Sequence, residues 1–288
     1  MASDGNRGPQ VDRRRFLAAG ASVALAGAVA ACSGGGSGGS GAPFTLLPDT
    51  FDFISGTDQR VAMALADRSG NPITPTAPVT LQIAPVGRPL GPALATTMHD
   101  DGIPPYLLTS FRFPAPGSYL IRATYRGRHS DFTTPVVAPA GTPIPIVGRP
   151  LISVATPTAA TPLGVKPVCT SQPQCPFHAV SLDQALAEHR TIALQFATPA
   201  LCQSRLCGPV LQNLVAVHQP FADRVTFIHC EIYTDLSGQQ VTPPVTAYHL
   251  QHEPLLFLAG PDGVVRERID NGYDRVEGAD ALRRLTSV

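Results

Sequence analysis

The chain has 288 residues with 21 basic and 21 acidic side chains, so its formal charge is zero and no basic face argues for nucleic acid. No Trp, 30 Pro and 26 Gly favour short strands and ordered, proline-rich connections over long helices. Beyond an N-terminal apolar run, no stretch approaches the roughly 18 unbroken apolar residues that a membrane-spanning helix needs.

The chain opens on an address. Asp12-Arg13-Arg14-Arg15-Phe16-Leu17 matches the twin-arginine export pattern, and the apolar run over 17–31 is too short to span and has signal-peptide flanks. It closes on Val29-Ala30-Ala31-Cys32, which resembles a lipobox. That resemblance implies removal of residues before Cys32, lipidation of its sulfur and a membrane anchor. A Gly/Ser tether over 33–43 follows, a coil with a reach of about 15–20 Å. The signal is therefore expected over 1–32, and the anchored chain on the extracytoplasmic face of the cell membrane.

Residues 44–137 read as β-structure. Val61, Met63 and Leu65 alternate onto one face before a turn at Ser69-Gly70-Asn71-Pro72. Val79, Leu81 and Ile83 alternate next, then Tyr119, Ile121, Ala123 and Tyr125. Short strands with frequent Gly/Pro turns predict an all-β sandwich. The turn Pro116-Gly117-Ser118-Tyr119 resembles the opening of a strand in immunoglobulin-like modules.

Residues 138–180 form a proline-rich connector, semi-rigid and extended, with apolar stretches such as Ile144-Pro145-Ile146-Val147 that are expected to pack on a domain. It carries Cys169 and Cys175, a close pair in a proline-rich turn. In an exported chain such a pair predicts a structural disulfide clasp.

From 181 to 288 the pattern is α/β. Ser181-Leu-Asp-Gln184 reads as a capping box opening a helix through His189. A buried strand over 191–196 precedes a helix from Pro209 to about Gln219, proline being favoured in a first turn. A second buried strand spans 225–232, with Cys230 as a small hydrophobe. Pro254-Leu-Leu-Phe-Leu258, the turn Gly260-Pro-Asp-Gly263 and 264–269 form a hairpin, and a last helix spans 277–285.

Cys202 and Cys207 stand where the first of these strands runs towards a helix opened by Gly208-Pro209. A helix N-terminus lowers a thiol pKa, so the turn suits thiol–disulfide exchange, and Arg205 adds positive charge. Residues five apart within one helix lie about 8–9 Å apart, beyond disulfide reach. The pair closes only if Cys202 sits in the loop and Cys207 at the helix start. Cys207 is then expected to have the lower pKa and Cys202 the greater exposure.

The element order, the cysteine turn and Pro254 opening the third strand resemble the thioredoxin fold over about 180–288. The whole chain resembles membrane-tethered thioredoxin-like lipoproteins of the actinobacterial type, with the turn from Pro167 through Cys169 and Cys175 to His178 as part of that pattern. The resemblance implies a cis peptide before Pro254, lying against the active cysteines. Departures are plain: the spacing is Cys-x4-Cys, Leu201 precedes the first cysteine, and Gln195 stands where the family has a buried acid. The strand register favours Cys202 as the nucleophile; the Cys207-Gly208-Pro209 match favours Cys207.

The resulting expectation is a membrane-anchored thiol–disulfide oxidoreductase acting on exported protein thiols or a membrane redox partner. Cys202, Cys207 and Pro254 form its site, and no cofactor is required. Two alternatives stand beside it. One is a non-catalytic binding module with a permanent Cys202–Cys207 bridge. The other is copper delivery, since Sco-type proteins on this fold use two cysteines and a distant histidine; His252, or His249, would complete that set. Glu253 reads as a contact to a substrate backbone or a repeller of acidic partners, and Met98-His99-Asp100-Asp101 as a polar loop.

Overall fold

The computed structural model describes residues 43–287. The expectations for the export signal, Cys32 and most of the tether lie outside the described residues. Among the described residues no helix is long and apolar enough to cross a membrane. The protein is mostly β-sheet, in several sheets.

The first nine strands are β1 (Thr45–Pro48), β2 (Phe53–Ile54), β3 (Asp58–Ala66), β4 (Val79–Pro85), β5 (Leu94–Ala95), β6 (Thr97–His99), β7 (Tyr106–Arg112), β8 (Gly117–Tyr125) and β9 (Arg128–Val137). They build one sheet in the order β1-β3-β7-β6 and another in the order β2-β9-β8-β4-β5. The period-2 alternation decides which side chains point inward. Val61, Met63 and Leu65 of β3 meet Leu81 and Ile83 of β4 and Ile121 and Ala123 of β8 in one buried cluster. Between β8 and β9 the two-residue loop Arg126-Gly127 has φ of 49° and 71°, the positive pair that a tight hairpin turn requires.

The connector packs, as its apolar stretches predict. Ile144 and Leu151 are buried against the C-terminal sheet. Its backbone pairs there as well: Gly148 N–H donates to the Val265 carbonyl at 2.9 Å, and Leu151 N–H to that of Gly263 at 2.8 Å.

The C-terminal elements are α1 (Leu182–Ala187), β10 (Ile192–Phe196), α2 (Cys207–Val217), β11 (Thr226–Cys230), α3 (Pro243–Ala247), β12 (Leu255–Ala259), β13 (Val265–Asp270) and α4 (Arg275–Thr286). The sheet runs β11-β10-β12-β13. β10 is parallel to β11 and antiparallel to β12, which pairs antiparallel with β13. All five residues of β10 are buried, because both faces are covered. Leu194, Phe196 and Phe257 pack towards Leu182 of α1 and Val245 of α3. Ala193, Leu256 and Leu258 pack towards Leu211 and Leu214 of α2 and Ala281 and Leu282 of α4.

Two local expectations are corrected. Ser181 is the N-cap of α1 but makes no capping bond to its first turn. Its hydroxyl instead accepts from Thr156 N–H at 2.8 Å, and Gln184 turns to Glu188, so the connector takes the bond the capping box would have made. His99 is not in a polar loop. It ends β6, buried, with Nδ1 2.9 Å from the Asp274 carboxylate and its ring stacked on Tyr106. Asp274 is the N-cap of α4, so this contact docks the β-part on the α/β-part.

Candidate functional site

Residues 197–206 leave β10, reverse, and deliver Cys207 as the first residue of α2. Cys202 and Cys207 are disulfide-bonded with Cα atoms 5.9 Å apart, inside the span a bridge requires. The geometry is the folded-back loop that their spacing demands. Arg205 takes a left-handed φ of 61°, reversing the chain between them. Cys207 N–H points at Cys202 Sγ, 3.3 Å away. Pro209 falls in the first turn, where a missing N–H costs nothing. Cys207 has no exposed surface, whereas Cys202 is half-buried in the loop. Cys202 is thus the sulfur that a large reactant can reach.

The Glu253–Pro254 peptide is cis and borders this pair. Glu253 Oε2 lies 3.4 Å from Cys207 Sγ. Burial, with the Glu231 carboxylate adding to it, pushes the Glu253 carboxyl up to about 8. A carboxyl with that affinity beside a sulfur can take and return a proton near neutral pH. Gln195 does not compete for the role. Its Oε1 accepts from Tyr273 OH at 2.7 Å, and its Nε2 donates to the Leu255 carbonyl at 3.0 Å. It braces β10 against β12 and against Tyr273 in the segment that leads into α4.

Neither histidine considered for copper joins the sulfurs. His252 packs at a tilt against Phe51 with centroids 4.8 Å apart, and its Nε2 is 3.9 Å from Asp270. It clusters with Asp52 and Asp270, and the group around the sulfurs is completed by Glu253. His249 is exposed, in a left-handed conformation.

A cleft of about 500 Å³ runs beside the loop. Gln203, Ser204 and Leu206 line it together with Phe51 and Ile103 of the β-part, His252 and Glu253. The β-part therefore helps to shape the surface next to the bridge, a contribution its own sequence does not announce.

The clasp expected between Cys169 and Cys175 is absent: both are free, with sulfurs 3.7 Å apart. Two histidines hold them in that relation. His178 Nε2 is 3.2 Å from Cys175 Sγ. His229 Nδ1, from β11, is 3.4 Å from Cys175 Sγ and 3.7 Å from Cys169 Sγ. Hydrogen bonding with the neighbouring Cys175 sulfur, and with the two histidines, holds the Cys169 thiol well below the ordinary thiol range. The Cys175-x2-His178 spacing was visible in the sequence, but His229 lies in an apolar strand and reads there as filler. Cys230 is fully buried, and burial raises its thiol to about 12.

No family model matches this chain, and no curated protein matches it. Solved structures overlap it over about a third. An engineered protein is 16% identical over 34% of this chain and 21% of its own, with a TM-score of 0.24. The titin M3 domain is 17% identical over 33% of this chain and 93% of its own, with a TM-score of 0.21. A superoxide reductase (neelaredoxin) from Ignicoccus hospitalis is 10% identical over 33% and 79%, with a TM-score of 0.22. Similarities at these scores carry no argument about fold or function.

Proposed function

We propose that the protein is a membrane-anchored, extracytoplasmic thiol–disulfide oxidoreductase of the thioredoxin-like class, acting on exported proteins through Cys202 and Cys207. The observation that carries the reading is the bridged pair at the start of α2, one sulfur outward and the other buried against Glu253, beside a cleft. The helix–sheet–helix layering, the sheet order β11-β10-β12-β13 and the cis bond before Pro254 support the class. The twin-arginine and lipobox patterns support the location.

In the reducing direction the Cys202 thiolate attacks a client disulfide. A mixed disulfide forms, and one client thiolate leaves and takes up a proton. Glu253 accepts the proton of the Cys207 thiol. The Cys207 sulfur then attacks Cys202, the second client thiolate leaves, and the Cys202–Cys207 bridge remains. Protein dithiol and client disulfide become protein disulfide and client dithiol; client oxidation is the same sequence reversed. Pro254 flanks the pair and shapes the surface that a client strand meets.

The reading is tested by equilibrating the protein with defined thiol–disulfide buffers. A Cys202–Cys207 potential within the range of exchange proteins is expected. A potential well below about −300 mV marks a permanent bridge and removes the reading.

Glu253 makes a second prediction. A carboxyl that titrates near 8 accepts a proton only when ionised, so resolution by Cys207 should accelerate as pH rises through that value and then level off. Glu253→Gln should be slower and lose this limb of the profile, by roughly the 100-fold or more that a positioned base contributes. Stopped-flow resolution of a preformed mixed disulfide measures it. An unchanged profile in Glu253→Gln rules out Glu253 as the acceptor.

A further inference from the structure

We propose that Cys169, Cys175, His178 and His229 bind one zinc ion in a closed, four-coordinate site. The proposal is independent of the exchange reading and uses neither Cys202 nor Cys207.

Four donor atoms, one from each side chain, lie within 4.8 Å of one another. All four residues are buried: Cys169 and His178 are 4% exposed, Cys175 is 6% and His229 0%. A tetrahedral zinc with bonds of about 2.3 Å to sulfur and 2.0–2.1 Å to nitrogen sets the spacing between its ligands. The spacing comes to about 3.8 Å for sulfur–sulfur, 3.6 Å for sulfur–nitrogen and 3.4 Å for nitrogen–nitrogen. The structure has 3.7 Å between the sulfurs, 3.2, 3.4 and 3.7 Å between sulfur and nitrogen, and 3.3 Å between His178 Nε2 and His229 Nδ1. These five of the six pairs fall within about 0.4 Å of the tetrahedral value, and the sixth, between Cys169 and His178, is within 4.8 Å.

The His229 tautomer agrees. His229 Nε2 lies 3.0 Å from the Ala197 carbonyl, which can only accept, so Nε2 carries the proton and Nδ1 turns a lone pair inward. A backbone carbonyl fixing the outer nitrogen is the usual support of a metal-binding histidine. His178 Nδ1 finds no hydrogen-bond partner among the described residues, so only Nε2, aimed into the cluster, gives that buried ring a polar contact. Without a cation, inward lone pairs and two sulfurs crowd one buried point. With zinc and both thiols ionised, the centre is neutral and its burial leaves no isolated charge.

Two thiolates and two imidazoles in a tetrahedral array select zinc among common ions, and four protein ligands leave no open position. The role is structural. The ion joins the 169–178 turn to β11, and through Ala197 to the residue that follows β10. Thr170 extends the same link, its Oγ1 accepting from Ala200 N–H at 3.1 Å and its N–H donating to Glu231 at 2.6 Å. The platform of the Cys202 loop is thereby tied to the connector.

The test is metal analysis of the isolated full chain, with cobalt(II) substitution. One zinc per chain is expected, with the visible bands of tetrahedral cobalt and thiolate-to-cobalt charge transfer after exchange. Cys169→Ser and His178→Ala should lose the metal, and Cys202→Ser/Cys207→Ser should keep it. Because a ligand variant can fail to fold, the cobalt spectrum of the unaltered chain decides alone if it must. Octahedral cobalt without thiolate bands overturns the site. So does a folded, metal-free chain bridged between Cys169 and Cys175, or stoichiometric copper in place of zinc.

Discussion

Cys207→Ser is expected to accumulate a mixed disulfide through Cys202, and Cys202→Ser to accumulate none. Two effects compete at this pair. Cys207 begins α2, where the helix terminus favours its thiolate by about 0.3–1 kcal/mol. Accessibility acts the other way, since Cys207 has no exposed surface and Cys202 does. Exchange needs the attacking sulfur in contact with a client sulfur, and a buried thiolate cannot supply that however low its pKa. Accessibility therefore decides: under the proposed function Cys202 is expected to attack, and the helix terminus and Glu253 to prepare Cys207 for the second step. In Cys207→Ser the first step proceeds and resolution stops. The measurement is mass spectrometry, under non-reducing conditions, of each variant after incubation with an unfolded, disulfide-containing protein. Capture by Cys202→Ser alone would reverse the order of attack. Capture by neither would remove the exchange reading and leave a binding module with a fixed bridge.

What the sequence disclosed follows from the range of the interactions concerned. Val61, Met63 and Leu65 announce a strand because the period is local, and β3 buries all three. The Cys202–Cys207 loop was legible because helix geometry forbids any other way for those sulfurs to meet. Cys169 and Cys175 were misassigned because two thiols in a proline-rich turn look alike as a bridge or as half of a ligand set. The residue that separates the two cases is His229, 54 positions beyond Cys175. Glu253 is of the same kind, its distance to Cys207 set by a contact across 46 positions. The union of the β-part with the α/β-part was the least visible feature. It is made by charged side chains, which a local reading assigns to the surface.

Arg60 is where that union is most vulnerable, and Arg60→Ala is expected to destabilise the protein by about 3–5 kcal/mol. From β3 its Nε donates to Glu277 Oε1 at 2.7 Å and its Nη2 to Oε2 at 3.0 Å, a two-pronged pair across the two parts. Nη2 also donates to the Gly272 carbonyl at 2.6 Å, and Nη1 to those of Asp49 at 3.1 Å and Asp270 at 3.3 Å. Tyr106 OH completes Glu277. An exposed ion pair is worth about 0–1 kcal/mol, but here the pair is sealed. Removing the guanidinium strips the buried Glu277 and Asp49 carboxyls of their cation and leaves them only the hydrogen bonds from Tyr106 OH to Glu277 and from Asn271 Nδ2 and Gly272 N–H to Asp49. The pH dependence has a definite sign. Burial already lifts Asp49 to about 7 against the opposing pull of Arg60. The folded state thus holds this proton more tightly than the unfolded chain. Its contribution to stability is complete below the ordinary aspartate value of about 4 and is lost as pH rises through 7. Without Arg60 the carboxyl climbs further, so the defect should be greatest near neutral pH and shrink as the carboxyls protonate. Urea unfolding at several pH values measures both effects. Adding Glu277→Gln to Arg60→Ala should restore part of the loss, because the stranded charge goes with it. A change within about 1 kcal/mol that does not vary with pH would mean that water reaches this interface and that the two parts are held by their apolar contacts instead.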